Sequence, residues 1–277
     1  MQEFTGKVAV ITGAASGFGR ELALLCAKEG MRLSLADVDE AGLKGTEALL
    51  APSGAEVLLS RCDVSQSEAV EQLAVQTYER FGGAHLLFNN AGVAALGPSW
   101  TSTLEDWKWV LGVNLMGVVH GIRSFVPRML AQGDECHIVN TSSVAGFLSV
   151  PGSSPYCVSK HGVVTLSECL YHELQPQKAK IGVSVLCPAF VKTGIGDSGR
   201  NRPAELSPAN PLSPHFDKRM KKAIEAGVLT AEDIARLTME AVKANRFYIL
   251  THPAIKPSIE ARMQGILEEK NPTNPMP

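Results

Sequence analysis

The 277-residue chain predicts a doubly wound α/β fold, a parallel sheet covered by helices on both sides. Three observations lead there. Apolar runs of strand length alternate with longer stretches of helical periodicity through residue 187. Those runs, such as Val8-Ala9-Val10-Ile11 and Leu86-Leu87-Phe88, are unbroken rather than alternating, as in strands buried on both faces. A glycine-rich turn joins the first run to the first helix. At 45% hydrophobic residues, a single large domain is favoured over two small ones.

In order, residues 7–12 form the first strand and 17–29 a helix with Leu22, Leu25 and Cys26 on one face. Strands over 31–36 and 55–62 are each followed by a helix, at 40–50 and 66–80. A strand at 85–88 leads into one long helix over 103–131, then a strand at 136–142, a helix at 154–174 and a strand at 181–187. Right-handed crossovers then give a parallel sheet. Residues 194–214 carry Gly194, Gly196, Gly199, Pro203, Pro208, Pro211 and Pro214 and read as a long loop. Helices resume at 215–226 and 231–244, a last strand at 246–251, and a tail from 252 holds one helix at 257–269. The expected division is a catalytic domain over 1–251, including a substrate lid at 194–226, and a C-terminal tail over 252–277.

The net charge of −2 offers no basic footprint for nucleic acid or an anionic membrane. Unbroken apolar runs of about five to seven residues fall short of the roughly 20 that span a bilayer. Met1-Gln2-Glu3-Phe4 enters a strand at once, leaving no room for a signal peptide, so a cytoplasmic protein is expected. The six cysteines contain no C-x-x-C pair and read as buried thiols, with no metal site expected.

The turn Thr12-Gly13-Ala14-Ala15-Ser16-Gly17-Phe18-Gly19 has the chemistry of a pyrophosphate cradle. Gly13, Gly17 and Gly19 let the backbone approach closely. Helix N–H groups beside Ser16 and Phe18 present a positive dipole end to the anion. Asp37, about 20 residues on at the end of the second strand, is placed to bind ribose hydroxyls and to repel a 2′-phosphate. No Arg or Lys stands inside the turn to compensate, and Arg32 points away. The alternative is a surface carboxylate or the N-cap of the next helix.

Tyr156 and Lys160, four residues apart on a helix, share a face. A phenol is too weak an acid to serve as a base near neutrality. A neighbouring ammonium and an oxidised nicotinamide would both lower its pKa. The preceding strand ends in Thr141-Ser142-Ser143, at the sheet edge where ligands bind. Ser143 can donate to a carbonyl oxygen gaining charge, and periodicity leaves Ser142 as its competitor. Asn114, between Gly112 and Gly117, lowers helix propensity and predicts a kink that frees a carbonyl for a bound water. Asp63-Val64 and Asn89-Asn90-Ala91-Gly92 end the third and fourth strands.

This set resembles the short-chain dehydrogenase/reductase family. The matches are Thr12-Gly13-x-x-x-Gly17-x-Gly19, Asp63-Val64, Asn89 to Gly92, Asn114, Ser143, Tyr156-x-x-x-Lys160, and Pro188 with Thr193. The resemblance implies a Rossmann domain of about seven parallel strands with NAD as cofactor, the acidic Asp37 matching NAD-preferring members. It implies that Tyr156 is the general acid/base and that Lys160 lowers its pKa and holds the nicotinamide ribose. Ser143 would orient the substrate oxygen, Asn114 would anchor a water relay, and Thr193 would hold the carboxamide. Gly13, Ser16, Gly17, Phe18, Gly19, Asp37, Asp63, Val64 and Asn90 would line the rest of the cofactor site. A homodimer or homotetramer built on the helices at 103–131 and 154–174 is also implied. One departure is Pro188-Ala189 where family members usually have Pro-Gly.

Two other readings compete. An epimerase or dehydratase with bound NAD would carry a G-x-x-G-x-x-G turn and a larger C-terminal domain. A non-enzymatic NAD sensor tends to lose the tyrosine or lysine. This chain keeps Asn114, Ser143, Tyr156 and Lys160. The expected partner is a small hydrophobic or aromatic secondary alcohol or ketone, because Ala94, Leu96, Val144, Phe147, Leu148, Val150 and Phe190 surround the expected cleft. Ile195, Leu206, Leu212, Phe216 and Met220 are the lid side chains expected to face it.

Overall fold

The computed structural model describes residues 1–207 and 210–275; Pro208 of the expected lid and the end of the expected tail, 276–277, lie outside the described residues. Seven strands form one parallel sheet: β1 (Val8–Thr12), β2 (Arg32–Asp37), β3 (Val57–Arg61), β4 (Leu86–Asn89), β5 (Cys136–Thr141), β6 (Ile181–Cys187) and β7 (Tyr248–Leu250). Their order is 3-2-1-4-5-6-7. The chain winds outward from β1 to β3, then returns to place β4 on the other side of β1. That reversal opens a crevice at the strand C-termini, where Gly13 and Asn90 lie. The single doubly wound α/β domain is the expected one.

Helices α1 (Gly17–Lys28), α2 (Glu40–Leu50) and α8 (Ala231–Lys243) cover one face of the sheet, burying Leu22, Leu43, Ile234 and Met239 against Leu33 and Leu35. The other face is covered by α3 (Ser67–Phe81), α5 (Gly117–Gln132) and α6 (Ser154–Leu174), where Val70, Leu73, Phe125, Met129 and Leu170 pack on Leu87 and Ile138. Every residue of β1, β4 and β5 is buried, which is why β1 and β4 read as near-continuous apolar runs, whereas β5 also buries His137, Asn140 and Thr141. The remaining helices are α4 (Leu104–Leu111), α7 (Ser213–Glu225) and α9 (Lys256–Leu267).

One expectation holds with a local change, and two need correction. The long helix expected over 103–131 runs unbroken from Leu104 to Gln132, as α4 and α5 continuous through a π-turn at Gly112–Met116, where the kink is expected. The turn accommodates Asn114, whose side chain bonds outside the helix, and Gly117, where a Cβ would come within 2.8 Å of Val64 Cγ2. Residues 194–214 are not structureless: they contain 3₁₀ turns at Gly194–Asn201 and Ala204–Leu206 before α7. The Arg200 guanidinium closes the first turn by donating to the carbonyls of Gly194 and Asp197 at 3.0 and 2.9 Å. The argument from short apolar runs also fails for Leu104–Gln132, a 29-residue rod long and apolar enough to cross a membrane. Within the fold, 56% of its apolar window is buried, because it packs on α3, α6 and β4.

His137 in β5 is fully buried, its Nε2 2.8 Å from Ser184 Oγ, and burial pushes its pKa down from 6.5 to about 3. The unfolded chain therefore binds a proton below pH 6.5 that the folded chain refuses. Stability falls as pH drops, by roughly 1.4 kcal/mol per pH unit within that window. Thermal melts of wild type and His137→Gln between pH 7 and 4 are expected to show a shallower acid decline in the variant. Parallel declines would mean that another group carries the acid sensitivity.

Candidate active site

Gly13 follows β1 with φ +69°, and a Cβ there would lie 2.9 Å from Ala91 Cα. A Cβ on Gly19 would collide with the Gly13 carbonyl oxygen. Gly13 therefore lets the turn pass close to the segment after β4, and Gly19 lets the first helix start directly against the turn. Ser16 occupies the N-cap of α1 without a capping side-chain bond, and the first turn has no acidic residue. Among the described residues the helix N-terminus thus has no side-chain cap and no acidic first turn, which fits an external pyrophosphate. Gly17 and Phe18 border the same cavity, with Thr193 Cβ 3.5 Å from the Cβ position of Gly17.

Asp37 closes β2 and is neither a free surface carboxylate nor a helix cap, since Asp39 caps α2. It accepts from the amides of Ala15 and Asp39, both at 3.0 Å. Burial raises its pKa, and these amide bonds work in the opposite direction. Asp63 accepts from Ser65 N at 3.0 Å, while the carbonyl of buried Val64 is hydrogen-bonded to His120 at 2.9 Å. Asn90 donates to the Thr12 carbonyl at 3.0 Å and its Oδ1 accepts from Thr141 Oγ1 at 3.4 Å, tying β1, β4 and β5 together at the crevice. Gly13, Ser16, Gly17, Phe18, Asp37, Asp63, Val64, Asn90 and Thr193 line one cavity of about 1060 Å³, while Gly19 lies behind the turn and does not.

Tyr156, Lys160 and Ser143 meet in that cavity. Ser143 contacts the Tyr156 hydroxyl. Ser142 lines the cavity too, but its hydroxyl donates to the Lys160 carbonyl at 2.8 Å. Lys160 is buried, donates from Nζ to the Thr141 carbonyl at 2.9 Å, and lies 5.5 Å from the Tyr156 ring centroid. The expected lowering of the phenol is not what these protein groups produce. Burial pushes Tyr156 up to about 12, against the hydrogen bond with Ser143, and pushes Lys160 down to about 8. The ammonium bonds the Thr141 carbonyl and faces the tyrosine ring, so desolvation outweighs charge attraction.

Asn114 is fully buried in the π-turn. Its Oδ1 accepts from Val93 N at 2.8 Å, and its Nδ2 donates to the Val93 carbonyl and Ser159 Oγ at 2.9 and 3.1 Å. Its amide is thus committed to the protein, and any kink-derived acceptor for water is a main-chain carbonyl.

Val144, Leu148, Val150 and Phe190 line the cavity as expected, but Ala94, Leu96 and Phe147 do not. Phe147 packs edge-on against Tyr248, ring centroids 6.1 Å apart. Leu96 is buried, and the Ala94 amide is taken by Ser198 Oγ at 3.0 Å. Of the lid side chains, Ile195, Leu206 and Met220 face the cavity. Leu212 is half exposed, and Phe216 packs on Gly152. Sequence reasoning missed Trp109, Val113, Ile224 and the tail residues Ile255 and Pro275, which also line it. It missed the clasp behind Trp109 as well. Arg202 pairs with buried Asp106 at 2.5 Å, donates to the Leu206 carbonyl at 2.7 Å and lies 5.3 Å from the Trp109 ring centroid. The capping box Thr103-x-x-Asp106 was a readable helix start; its distant partner was not.

A family model described as short chain dehydrogenase matches residues 7–203. A CLA biosynthesis dehydrogenase/reductase from Lactiplantibacillus plantarum is 36% identical over 279 aligned positions, covering 98% of this chain and 97% of its own. A C alpha-dehydrogenase from Sphingobium sp. strain SYK-6 is 33% identical over 273, covering 98% and 89%. The crystal structure of a short chain dehydrogenase/reductase from Burkholderia phymatum in complex with NAD superposes with a TM-score of 0.97 at 51% identity, covering 100% of both chains.

Proposed function

The chain is an oxidoreductase belonging to the short-chain dehydrogenase/reductase family, and from that premise we propose that it moves a hydride between NAD and a hydrophobic or aromatic secondary alcohol or ketone. The observation that carries this reading is the meeting of Tyr156, Ser143 and Lys160 in one cavity with the glycine turn. NAD supplies the hydride acceptor or donor. Ser143 holds the substrate oxygen, and Tyr156 takes its proton during oxidation or returns one during reduction. Lys160, anchored on Thr141, holds the ribose and favours the phenolate while it remains charged. Asn114 shapes the π-turn from which a proton relay leaves. Gly13, Ser16, Gly17, Phe18 and Gly19 take the pyrophosphate, Asp37 the adenosine ribose, Asp63, Val64 and Asn90 the adenine side, and Thr193 the carboxamide. The apolar wall of Trp109, Leu148, Val150 and Met220 suits an apolar substrate.

The test is NADH absorbance with a size series of aryl alcohols and ketones across pH 6–10. Oxidation consumes a base, so it is expected to accelerate as pH rises toward the phenol's ionisation. Reduction needs the protonated phenol and is expected to favour the acid side. A flat oxidation profile, with cofactor release shown not to limit the rate, would remove the titrating phenol.

We assign residues 194–226 to a substrate lid. Its described contacts, Ser198 with Ala94 and Arg202 with Asp106, hold it over the cavity. Arg202→Met is expected to speed hydrogen exchange over 199–206, and NADH with a ketone analogue to slow it in the wild type. Equal protection with and without ligand would remove the lid. A homodimer or homotetramer is supported by Met116, Leu130, Val158 and Tyr171, apolar residues left exposed on the long helices.

A further inference from the structure

We propose that His252 is a positioning residue, which through the Ala189 amide holds the Pro188-Ala189-Phe190 turn in the register that receives the nicotinamide; this rests on the reading of the cavity as an NAD site. The last paired residues of β6 and β7 are Cys187 and Leu250. Pro188 has no N–H to continue the ladder. One residue later Ala189 N donates to His252 Nδ1 at 3.2 Å, so a side chain takes over where the backbone pairing stops.

Thr251 Oγ1 lies 2.8 Å from the same nitrogen. A backbone donor on Nδ1 makes it the acceptor and puts the ring proton on Nε2. Nε2 is buried and has no hydrogen-bond partner among the described residues. Burial also lowers the pKa of His252, which keeps the ring a neutral acceptor.

The turn that His252 holds is part of the site. Pro188, Ala189 and Phe190 line the cavity. The Pro188 carbonyl accepts from Val144 N at 3.0 Å and from Ser143 Oγ at 3.3 Å, and Ser143 contacts Tyr156. A connected series of contacts thus runs from His252 through the turn to the reacting hydroxyls. It also accounts for Ala189 where the family usually has glycine. Among the described residues the non-glycine positions with positive φ are Lys178, Asn245 and Glu269, so the turn does not need glycine at 189 and is fixed by the histidine instead.

The test compares His252→Phe, which keeps ring volume and loses the acceptor, with His252→Asn, whose Oδ1 can stand near the Nδ1 position. Each is titrated with NADH and with ADP-ribose, which lacks the nicotinamide. His252→Phe is expected to raise the NADH Kd about tenfold, the scale of one buried hydrogen bond, and to leave the ADP-ribose Kd within about twofold. His252→Asn is expected to stay within about twofold for both. Equal weakening of both ligands in the Phe variant, or an Asn variant as weak for NADH as the Phe variant, would overturn the proposal. If the Phe variant does not fold by circular dichroism, His252→Ala takes its place with the same expectations. Failure of the wild type to bind NADH would instead overturn the NAD reading on which the proposal rests.

Discussion

Tyr156→Phe is expected to lower kcat by at least a hundredfold while leaving the NADH Kd within about twofold. The phenylalanine keeps the ring that Lys160 faces at 5.5 Å and removes only the oxygen beside Ser143. General acid/base catalysis contributes typically 10²–10⁴-fold, which sets the size of the loss. Cofactor affinity rests instead on the glycine turn, Asp37 and Lys160, none of which the substitution touches. Lys160→Ala is expected to damage both quantities, because its Nζ bonds the Thr141 carbonyl at the floor of the cavity. Steady-state rates with fluorescence titration separate the two. A Phe variant retaining more than about a tenth of wild-type kcat would show that the proton travels by another route.

What was legible in the sequence is what short-range chemistry writes there. Gly19 is fixed by contact between the turn and its own helix, Gly13 by its positive φ, and Tyr156 and Lys160 by helical spacing. The strands β1 and β4 were readable because they are buried on both faces and carry no polar alternation. What stayed hidden depends on partners far along the chain. Asp106 and Arg202 are 96 residues apart, and Ala189 and His252 are 63 apart. Phe147 could be placed near the crevice by its distance from Ser143, but only packing decides that it faces Tyr248. The phenol's elevation could not be read either. Spacing shows that an ammonium is near, whereas burial decides which of attraction and desolvation wins.

The second large effect concerns the cofactor's 2′-position. Wild type is expected to favour NAD(H) over NADP(H) by at least tenfold in kcat/KM, a difference of roughly 1.4 kcal/mol. Asp37 cannot swing aside, since its two oxygens are held by the amides of Ala15 and Asp39. A 2′-phosphate brought to about 4 Å from it would meet a repulsion of about 4 kcal/mol at an effective dielectric near 20. Arg61, the strand partner of Asp37, pairs with Glu40 at 3.4 Å, so its charge is already shared. Asp37→Ala with Val38→Arg removes the repulsion and adds a cation, and is expected to move the preference toward NADP(H) by at least a hundredfold. The same change leaves the Ala15 and Asp39 amides without their acceptor. Efficiency with NAD is therefore expected to fall further than loss of the ribose contact alone would give. Parallel kcat/KM measurements with both cofactors decide it. A wild type that prefers NADP(H) tenfold, or a double variant with an unchanged ratio, would show that Asp37 does not face the ribose.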